Sequence, residues 1–142
     1  MRLHPGPGVL ALAIGLSAAP LEAALATEVA VTVEGVESAG GTLRVTLCLE
    51  SEYESWGCAL RQRMDAAVGG GTLVFEVPAG RYAVKAYHDA DDDGELDRDL
   101  FGAPSEDYGF SRDARGTFGP PDFADAAVTI GDTPVALTVR IR

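Results

Sequence analysis

The chain has few of the nitrogen and sulfur side chains that bind transition metals. Its 142 residues include two histidines and two cysteines, and Cys48, Cys58 and His88 all lie after the first 26 residues. A tetrahedral zinc site needs about four such ligands at short spacings. Nine residues separate the two cysteines, and no further cysteine accompanies them. The sequence therefore gives weak support to a zinc site. A single histidine also gives weak support to a metal-dependent hydrolytic centre.

Positive charge and long apolar segments are also scarce. Eleven Lys and Arg face 22 Asp and Glu, which gives a formal net charge of −11. Such a charge repels nucleic acid and anionic lipid, so neither is expected as a partner. The longest apolar run, residues 9–19, is about half the roughly 20 residues that a membrane-spanning helix needs. We therefore expect no membrane span.

The N-terminal segment has the layout of a secretory signal peptide. Arg2 precedes the apolar run, and the small residues Ala24 and Ala26 precede Thr27. This pattern predicts cleavage after residue 26 and a periplasmic or secreted protein. An uncleaved N-terminal anchor is the alternative. Residues 1–26 are thus interpreted as a signal peptide, and residues 27–142 as one domain large enough to bury a core.

Most of the remaining chain alternates between apolar and polar residues, as half-buried strands do. This pattern predicts six strands, over residues 29–33, 43–49, 73–77, 82–86, 126–130 and 135–141. Residues 58–68 could form a short helix or a seventh strand. Short strands with turns between them predict an all-β fold, an antiparallel, immunoglobulin-like β-sandwich of about seven strands. Residues 89–125 remain as one long irregular segment.

The two cysteines predict a disulfide bond. An isolated even pair in an exported protein more often forms a bridge than remains reduced. Two free buried thiols, or a metal-binding pair, are the alternatives. Because Leu43, Val45 and Leu47 share one face of their strand, Cys48 should point to the other face. A bridge to Cys58 would then hold the intervening loop on an outer or edge surface.

An acidic loop is the most specific motif. Residues 88–102 contain six aspartates and one glutamate against one arginine. Calcium prefers six to eight oxygen ligands on a curled loop with a glycine at its sharp bend. The candidate ligands are the carboxylates of Asp89, Asp91, Asp93 and Asp97 and the carbonyl of Glu95, and Gly94 provides the bend.

The loop departs from an EF-hand in two ways. Leu100 stands where the bidentate glutamate of an EF-hand would be, and a strand rather than a helix precedes the loop. The sequence therefore favours a strand-borne calcium site, closed by Asp99, Glu106 or water. A solvated acidic turn is the alternative, although crowding carboxylates without a counter-ion costs stability.

Four other side chains are candidates for structural or functional roles. His88 should face inward and hold the base of the loop, with a catalytic or metal-binding role as the alternative. Tyr108 and Phe110 are expected to cap an open end of the sandwich, with sugar stacking as the alternative. Trp56, a lone aromatic in a loop, fits either role.

The run VPAGRYAVKAYHDADDDGELDRDLFGAPSEDYGFS, followed by GPPDFADAAVTI, resembles domain-of-unknown-function family 2141, a group of exported bacterial proteins. The start of the strand within this run also resembles the corresponding part of transthyretin-like and carboxypeptidase-regulatory-like sandwiches. The family commonly has asparagine where this chain has Asp91 and Asp93, so this loop is more acidic than the family pattern. The resemblance implies a sandwich fold and export, and it implies no known activity.

Three functional hypotheses follow. The leading one is a non-enzymatic, exported or envelope-associated module that binds a protein or glycan and has a calcium-ordered loop. The second is a metal-dependent hydrolase that uses the same loop and His88. The third is a purely structural domain.

Overall fold

The computed structural model describes Gly15 and residues 25–142. Nearly all of the predicted signal peptide lies outside these residues. The described part forms an all-β sandwich, as predicted, with eight strands in two sheets. They are β1 (Thr27–Glu34), β2 (Thr42–Cys48), β3 (Leu60–Asp65), β4 (Gly70–Val77), β5 (Gly80–Asp89), β6 (Tyr108–Phe110), β7 (Ala127–Ile130) and β8 (Val135–Arg140). None of the helices among the described residues is long and apolar enough to cross a membrane.

The first sheet has the order β4-β1-β8. Strands β1 and β4 are antiparallel, whereas β1 and β8 run parallel, with Val31 opposite Leu137. The parallel pair departs from the expected purely antiparallel sandwich. It arises because β8 follows β7 of the other sheet and crosses to this one, so no hairpin joins it to β1.

The second sheet has the order β3-β2-β5-β6, and β7 also pairs with β5. The segment that could have been a helix or a strand is the strand β3. Strands β6 and β7 share one edge of β5: β7 pairs with residues 80–83, and β6 pairs with residues 85–87. Ser111 fills the gap between them, since its Oγ accepts a hydrogen bond from the Val84 amide at 2.9 Å. The segment expected to be irregular therefore contributes a short strand.

The main core lies between the two sheets. It contains the alternating apolar residues of the predicted strands, namely Val29, Val31, Val33, Leu43, Val45, Leu47, Leu73, Phe75, Val77, Tyr82, Val84 and Ala86, together with Ile130, Val139 and Ile141. Burial of these side chains is the principal source of stability in such a fold. The period-two reading of the sequence is confirmed for the faces that point into the sandwich.

A second, smaller core covers the outer face of the five-stranded sheet. It contains Cys48, Tyr53, Cys58, Ala83, Phe110, Phe123, Ala126 and Ala127. The short helix α1 (Phe123–Ala126) and the loop after β2 supply part of this cover. Strand β5 is consequently buried on both faces from Tyr82 to Asp89, which differs from the half-buried strand expected. Alternation alone predicted polar exposure here, because it does not reveal which loops fold back over a sheet.

Candidate functional site

The acidic loop begins at Asp89, the last residue of β5, whose side chain is fully buried. Its Oδ2 accepts a hydrogen bond from Arg44 Nε at 2.6 Å and one from the Gly94 amide at 2.9 Å. Its Oδ1 accepts a hydrogen bond from the Asp93 amide at 3.2 Å. Asp89 thus holds the first turn of the loop against β2.

These contacts keep Asp89 ionised. Burial disfavours the carboxylate and by itself would raise the pKa. The hydrogen bonds from Arg44 and the Gly94 amide, with the positive charge of Arg44, outweigh this effect and hold the pKa of Asp89 below its ordinary value. The residue predicted to be the first calcium ligand therefore already has a cationic partner.

The sharp bend predicted at Gly94 is present, with φ of +83°. Asp92 also has a positive φ, of +58°, a conformation that aspartate tolerates better than most residues. The Tyr87 hydroxyl donates a hydrogen bond to the Gly94 carbonyl at 3.1 Å, and the Glu95 amide donates one to Asp93 Oδ1 at 2.9 Å. Hydrogen bonds between side chains and the backbone of the loop therefore hold it in a curled conformation.

Curling brings the carboxylates into two overlapping groups. One oxygen each from Asp89, Asp91 and Glu106 lie within 4.8 Å of one another, and so do single oxygens from Asp91, Asp93 and Asp97. Asp91 belongs to both groups. Carboxylate oxygens converging at this separation could hold a metal ion, and hard cations such as calcium prefer them.

Most of the predicted calcium ligands lie close together in the structure. Four of the five predicted residues, Asp89, Asp91, Asp93 and Asp97, come together. The carboxylate of Glu95 belongs to neither group, and the predicted use of its carbonyl stays a prediction.

Glu106 joins the cluster from the far end of the loop, 17 positions after Asp89 in the numbering. Its Oε1 accepts a hydrogen bond from the Ala90 amide at 2.9 Å, and its Oε2 accepts one from the Asp97 amide at 3.1 Å. The other candidate closing residue, Asp99, instead accepts bonds from the amides of Phe101 and Ala103 in a separate turn. Of the two, Glu106 closes the loop.

The crowding has an electrostatic consequence at Asp97. Hydrogen bonding to the Asp93 carboxyl, followed by desolvation and the proximity of Asp91, raises the pKa of Asp97 to about 7. Like-charged carboxylates sharing a site favour protonation of one of them. A bound cation would reverse this preference.

His88 faces inward at the base of the loop, as predicted. It is 6% exposed, and its Nε2 lies 2.7 Å from the Gly40 carbonyl oxygen. Gly41 lets the β1–β2 connection approach closely here, because a Cβ at this position would collide with the Asp89 carbonyl oxygen. The arrangement supports the structural role of His88 over a catalytic one.

The two cysteines are joined, as predicted, with sulfur atoms 1.96 Å apart and Cα atoms 5.2 Å apart. Cys48 does point away from the main core, but the bridge is buried in the smaller core rather than lying on an open surface. Glu52 also fastens the enclosed loop, because its carboxylate accepts hydrogen bonds from the amides of Leu49 and Ala59, both at 3.2 Å.

Tyr108 and Phe110 do not cap an open end of the sandwich. They form part of β6 and pack on the outer face of its sheet, where Phe110 lies 6.1 Å from the ring of Trp56. The expectation was wrong because the three-residue strand was too short to recognise from alternation. Trp56, Tyr108 and Phe110 line a cavity of about 520 Å³ beside the acidic loop.

Comparison with known families identifies the domain. Residues 31–138 match the model of a family described as an uncharacterized protein conserved in bacteria (DUF2141). The chain belongs to the DUF2141 family. The match reaches all eight strands and includes the whole acidic loop of this DUF2141 domain, which confirms the family resemblance inferred from the sequence. The resemblance to transthyretin-like and carboxypeptidase-regulatory-like sandwiches stays a prediction. No curated protein and no solved structure matches the chain.

Proposed function

We propose that this DUF2141 protein is an exported, non-enzymatic binding module of the bacterial envelope whose acidic loop is ordered by calcium. The observation that carries the calcium assignment is the pair of three-carboxylate groups sharing Asp91. Five carboxylates converge there, and among the described residues Arg44 is the one cation hydrogen-bonded to any of them. Calcium would neutralise the remainder and join the two ends of the loop through Glu106.

Two further observations support the proposed location. The disulfide between Cys48 and Cys58 fits an oxidising compartment, because thiols in the cytosol are kept reduced. The N-terminal sequence has the features of a cleaved signal peptide. Mass measurement of the protein from its native envelope should find Thr27 as the first residue. An intact Met1 in the mature protein would contradict export by cleavage.

Calcium binding is tested by thermal unfolding and calorimetry of the purified domain. Extracellular calcium modules often bind at about 10⁻⁴–10⁻³ M, so titration should extend to about 5 mM at ionic strength matched with sodium chloride. Binding to the folded state should raise Tm with calcium concentration. Magnesium should do much less, because it dehydrates reluctantly and requires a smaller, octahedral site.

Single-residue variants show whether calcium binds at this carboxylate cluster. Asp91→Ala and Asp93→Ala should each abolish the calcium-dependent shift, because they remove carboxylates from the cluster without touching Arg44. Asp107→Ala is the matched control, since it removes one nearby negative charge that belongs to neither group. Absence of both binding heat and thermal shift in the unaltered domain would show that the loop is a solvated turn.

The hydrolase alternative needs a base beside the metal and an open coordination position. The orientation of His88 toward the Gly40 carbonyl argues against it. A hydrolase screen with calcium, magnesium, manganese or zinc should therefore give no turnover. Activity that is lost in His88→Ala, with the fold retained, would favour the hydrolase instead. A parallel screen of glycans and envelope proteins tests the binding role.

A further inference from the structure

The outward faces of β2 and β3 bring three arginines together. Arg44 lies directly opposite Arg63, and the next outward pair along the two strands is Thr46 and Arg61. Leu60 and Met64, which alternate with these arginines on β3, pack against the main core. Side chains of one strand alternate between faces, so both β3 arginines point to the outer side of the sheet. They line a cavity of about 410 Å³ with Arg44, Trp56 and Tyr87.

This concentration of positive charge is unusual for the chain. Three of its 11 basic residues line one cavity, in a protein with a net charge of −11. Like charges directly opposite each other on neighbouring strands are destabilising. Arg44 is paired with Asp89, but among the described residues Arg61 and Arg63 take part in no ion pair. The two β3 guanidinium groups are therefore available to an external anion.

The aromatic wall of the cavity is held in place. The ring of Trp56 packs edge-to-face on Tyr87, with centroids 5.2 Å apart. Lys85 Nζ lies 5.0 Å from the Trp56 centroid and donates hydrogen bonds to the carbonyls of Tyr53 and Ser55. The disulfide fixes the same loop to β2. A preorganised wall of this kind loses little conformational entropy when it packs against a ligand.

We propose that this arginine cavity binds an organic anion whose carboxylate or phosphate group is attached to a ring, as in an acidic sugar. Guanidinium groups match the planar geometry of carboxylate and phosphate oxygens and bind them with two parallel hydrogen bonds. Arg61 and Arg63 hold the anionic group, Arg44, already paired with Asp89, borders the site on its inner side, and Trp56 packs against the ring. The inference rests on the proposed binding role, and it does not require that calcium occupies the loop.

Trp56 provides the measurement, because it is the only tryptophan in the chain. The calcium-free domain is titrated with glucuronate, glucose 6-phosphate, glucose and inorganic phosphate while Trp56 fluorescence is recorded and calorimetry is run in parallel. At least one acidic sugar should bind, glucose should not, and inorganic phosphate should bind at least about tenfold more weakly because it lacks the ring. The stronger of the two acidic sugars identifies the preferred anionic group.

Charge-matched variants separate a site from a general charge effect. Arg61→Gln with Arg63→Gln should weaken binding at least about tenfold, since charge-assisted hydrogen bonds are lost. The control, Arg140→Gln with Arg142→Gln, removes the same charge from residues outside the cavity and should leave affinity unchanged. The proposal is overturned if neither acidic sugar binds at about 10 mM, if glucose binds equally well, or if the control pair weakens binding as much. Because calcium is absent, these results are separable from the fate of the acidic loop.

Discussion

The acidic loop and the arginine cavity are adjacent regions of opposite charge, and they are built in opposite ways. The loop collects its carboxylates from residues close in sequence, with Glu106 as its one distant member. The cavity collects its arginines from two strands, and its aromatic wall comes from a loop and a third strand. The Arg44–Asp89 ion pair is the boundary between them. Local charge in a folded protein can therefore oppose the net charge without any signal in the composition.

Removal of the disulfide should have the largest effect on stability, and it should affect the arginine cavity but not the acidic loop. Replacing Cys48 and Cys58 with alanine should lower the free energy of unfolding by about 2–4 kcal/mol, because the unfolded chain is no longer constrained. The loop that carries Trp56 should loosen, so sugar binding should fall while the calcium-dependent rise in Tm persists. Urea unfolding and both titrations measure this. Reduced wild-type protein should behave as the variant does; equal loss of both ligand responses would show that the regions are coupled.

Arg44→Gln tests the ion pair with Asp89 that lies between the acidic loop and the arginine cavity. It leaves the buried carboxylate of Asp89 without its cation and should cost about 2–3 kcal/mol. Because the pKa of Asp89 is lowered in the folded state, the stability that it contributes is present above its unfolded pKa. That contribution disappears as the pH falls through the folded pKa, so the difference between variant and wild type should shrink in acid. Denaturant unfolding between neutral and acidic pH checks this.

The control for this experiment is Arg140→Gln, which removes an exposed partner of Glu34. Exposed ion pairs contribute little, so the change in stability should be within about 0.5 kcal/mol. Equal losses in the two variants would contradict a special role for the Arg44–Asp89 pair. The Arg44→Gln domain should also gain more stability from calcium than wild type does, because Asp89 then lacks a counter-ion.

Lys85, buried under the wall of the arginine cavity, predicts a smaller effect of pH. Burial lowers the pKa of Lys85 from 10.5 to about 8. The unfolded state then binds more protons than the folded state between these values, so stability should rise with pH, by on the order of 1–2 kcal/mol. Lys85→Met should lack this rise when unfolding is measured between pH of about 7 and 10.

The titration of two tyrosines sets the upper limit of the pH range in which the effect of Lys85 can be measured. Burial raises the pKa of both Tyr53 and Tyr87 to about 12. Their contribution to stability is fully present below the unfolded pKa of about 10 and is lost as the pH rises through the folded value. A wild-type stability that falls relative to Lys85→Met between pH of about 8 and 10 would contradict the interpretation of Lys85.

The smallest effect should come from Arg63→Gln. This variant removes one of two like charges that lie directly opposite each other, so stability should change by less than about 0.5 kcal/mol, in the stabilising direction. Chemical denaturation measures the change. A clear destabilisation would contradict this expectation and would show that Arg63 supports the fold.

Much of the fold could be predicted from local patterns. Alternating residues such as Val29, Val31 and Val33 predicted strands and their inward faces, and Gly94 marked the bend of the acidic loop. Lys85 shows where such patterns stop. Alternation placed it outward, which is correct, but predicted exposure, whereas it is 3% exposed beneath the aromatic loop. Burial of an outward residue depends on what folds over it.

The candidate site also has features that could be predicted from local sequence and features that could not. The spacing of Asp89, Asp91, Asp93 and Asp97 was visible because residues two apart in a curled loop stay within a few ångströms of one another. Glu106 could only be suggested as one of several closing residues, because its approach depends on the path of the intervening chain. The alternate spacing of Arg61 and Arg63 was also visible, but nothing in it indicated a third arginine.

The sequence by itself determined six of the eight strands, the cysteine pair, the crowded aspartates and the net charge, because each depends on neighbours along the chain or on composition. Tertiary structure alone decided that β8 runs parallel to β1, that a second core covers β5, and that Arg44 joins Arg61 and Arg63 around Trp56. Cross-strand register sets these contacts, and a shift of one residue would turn the arginines to the other face. Register is selected by burial of the whole sheet, which no single stretch of sequence contains.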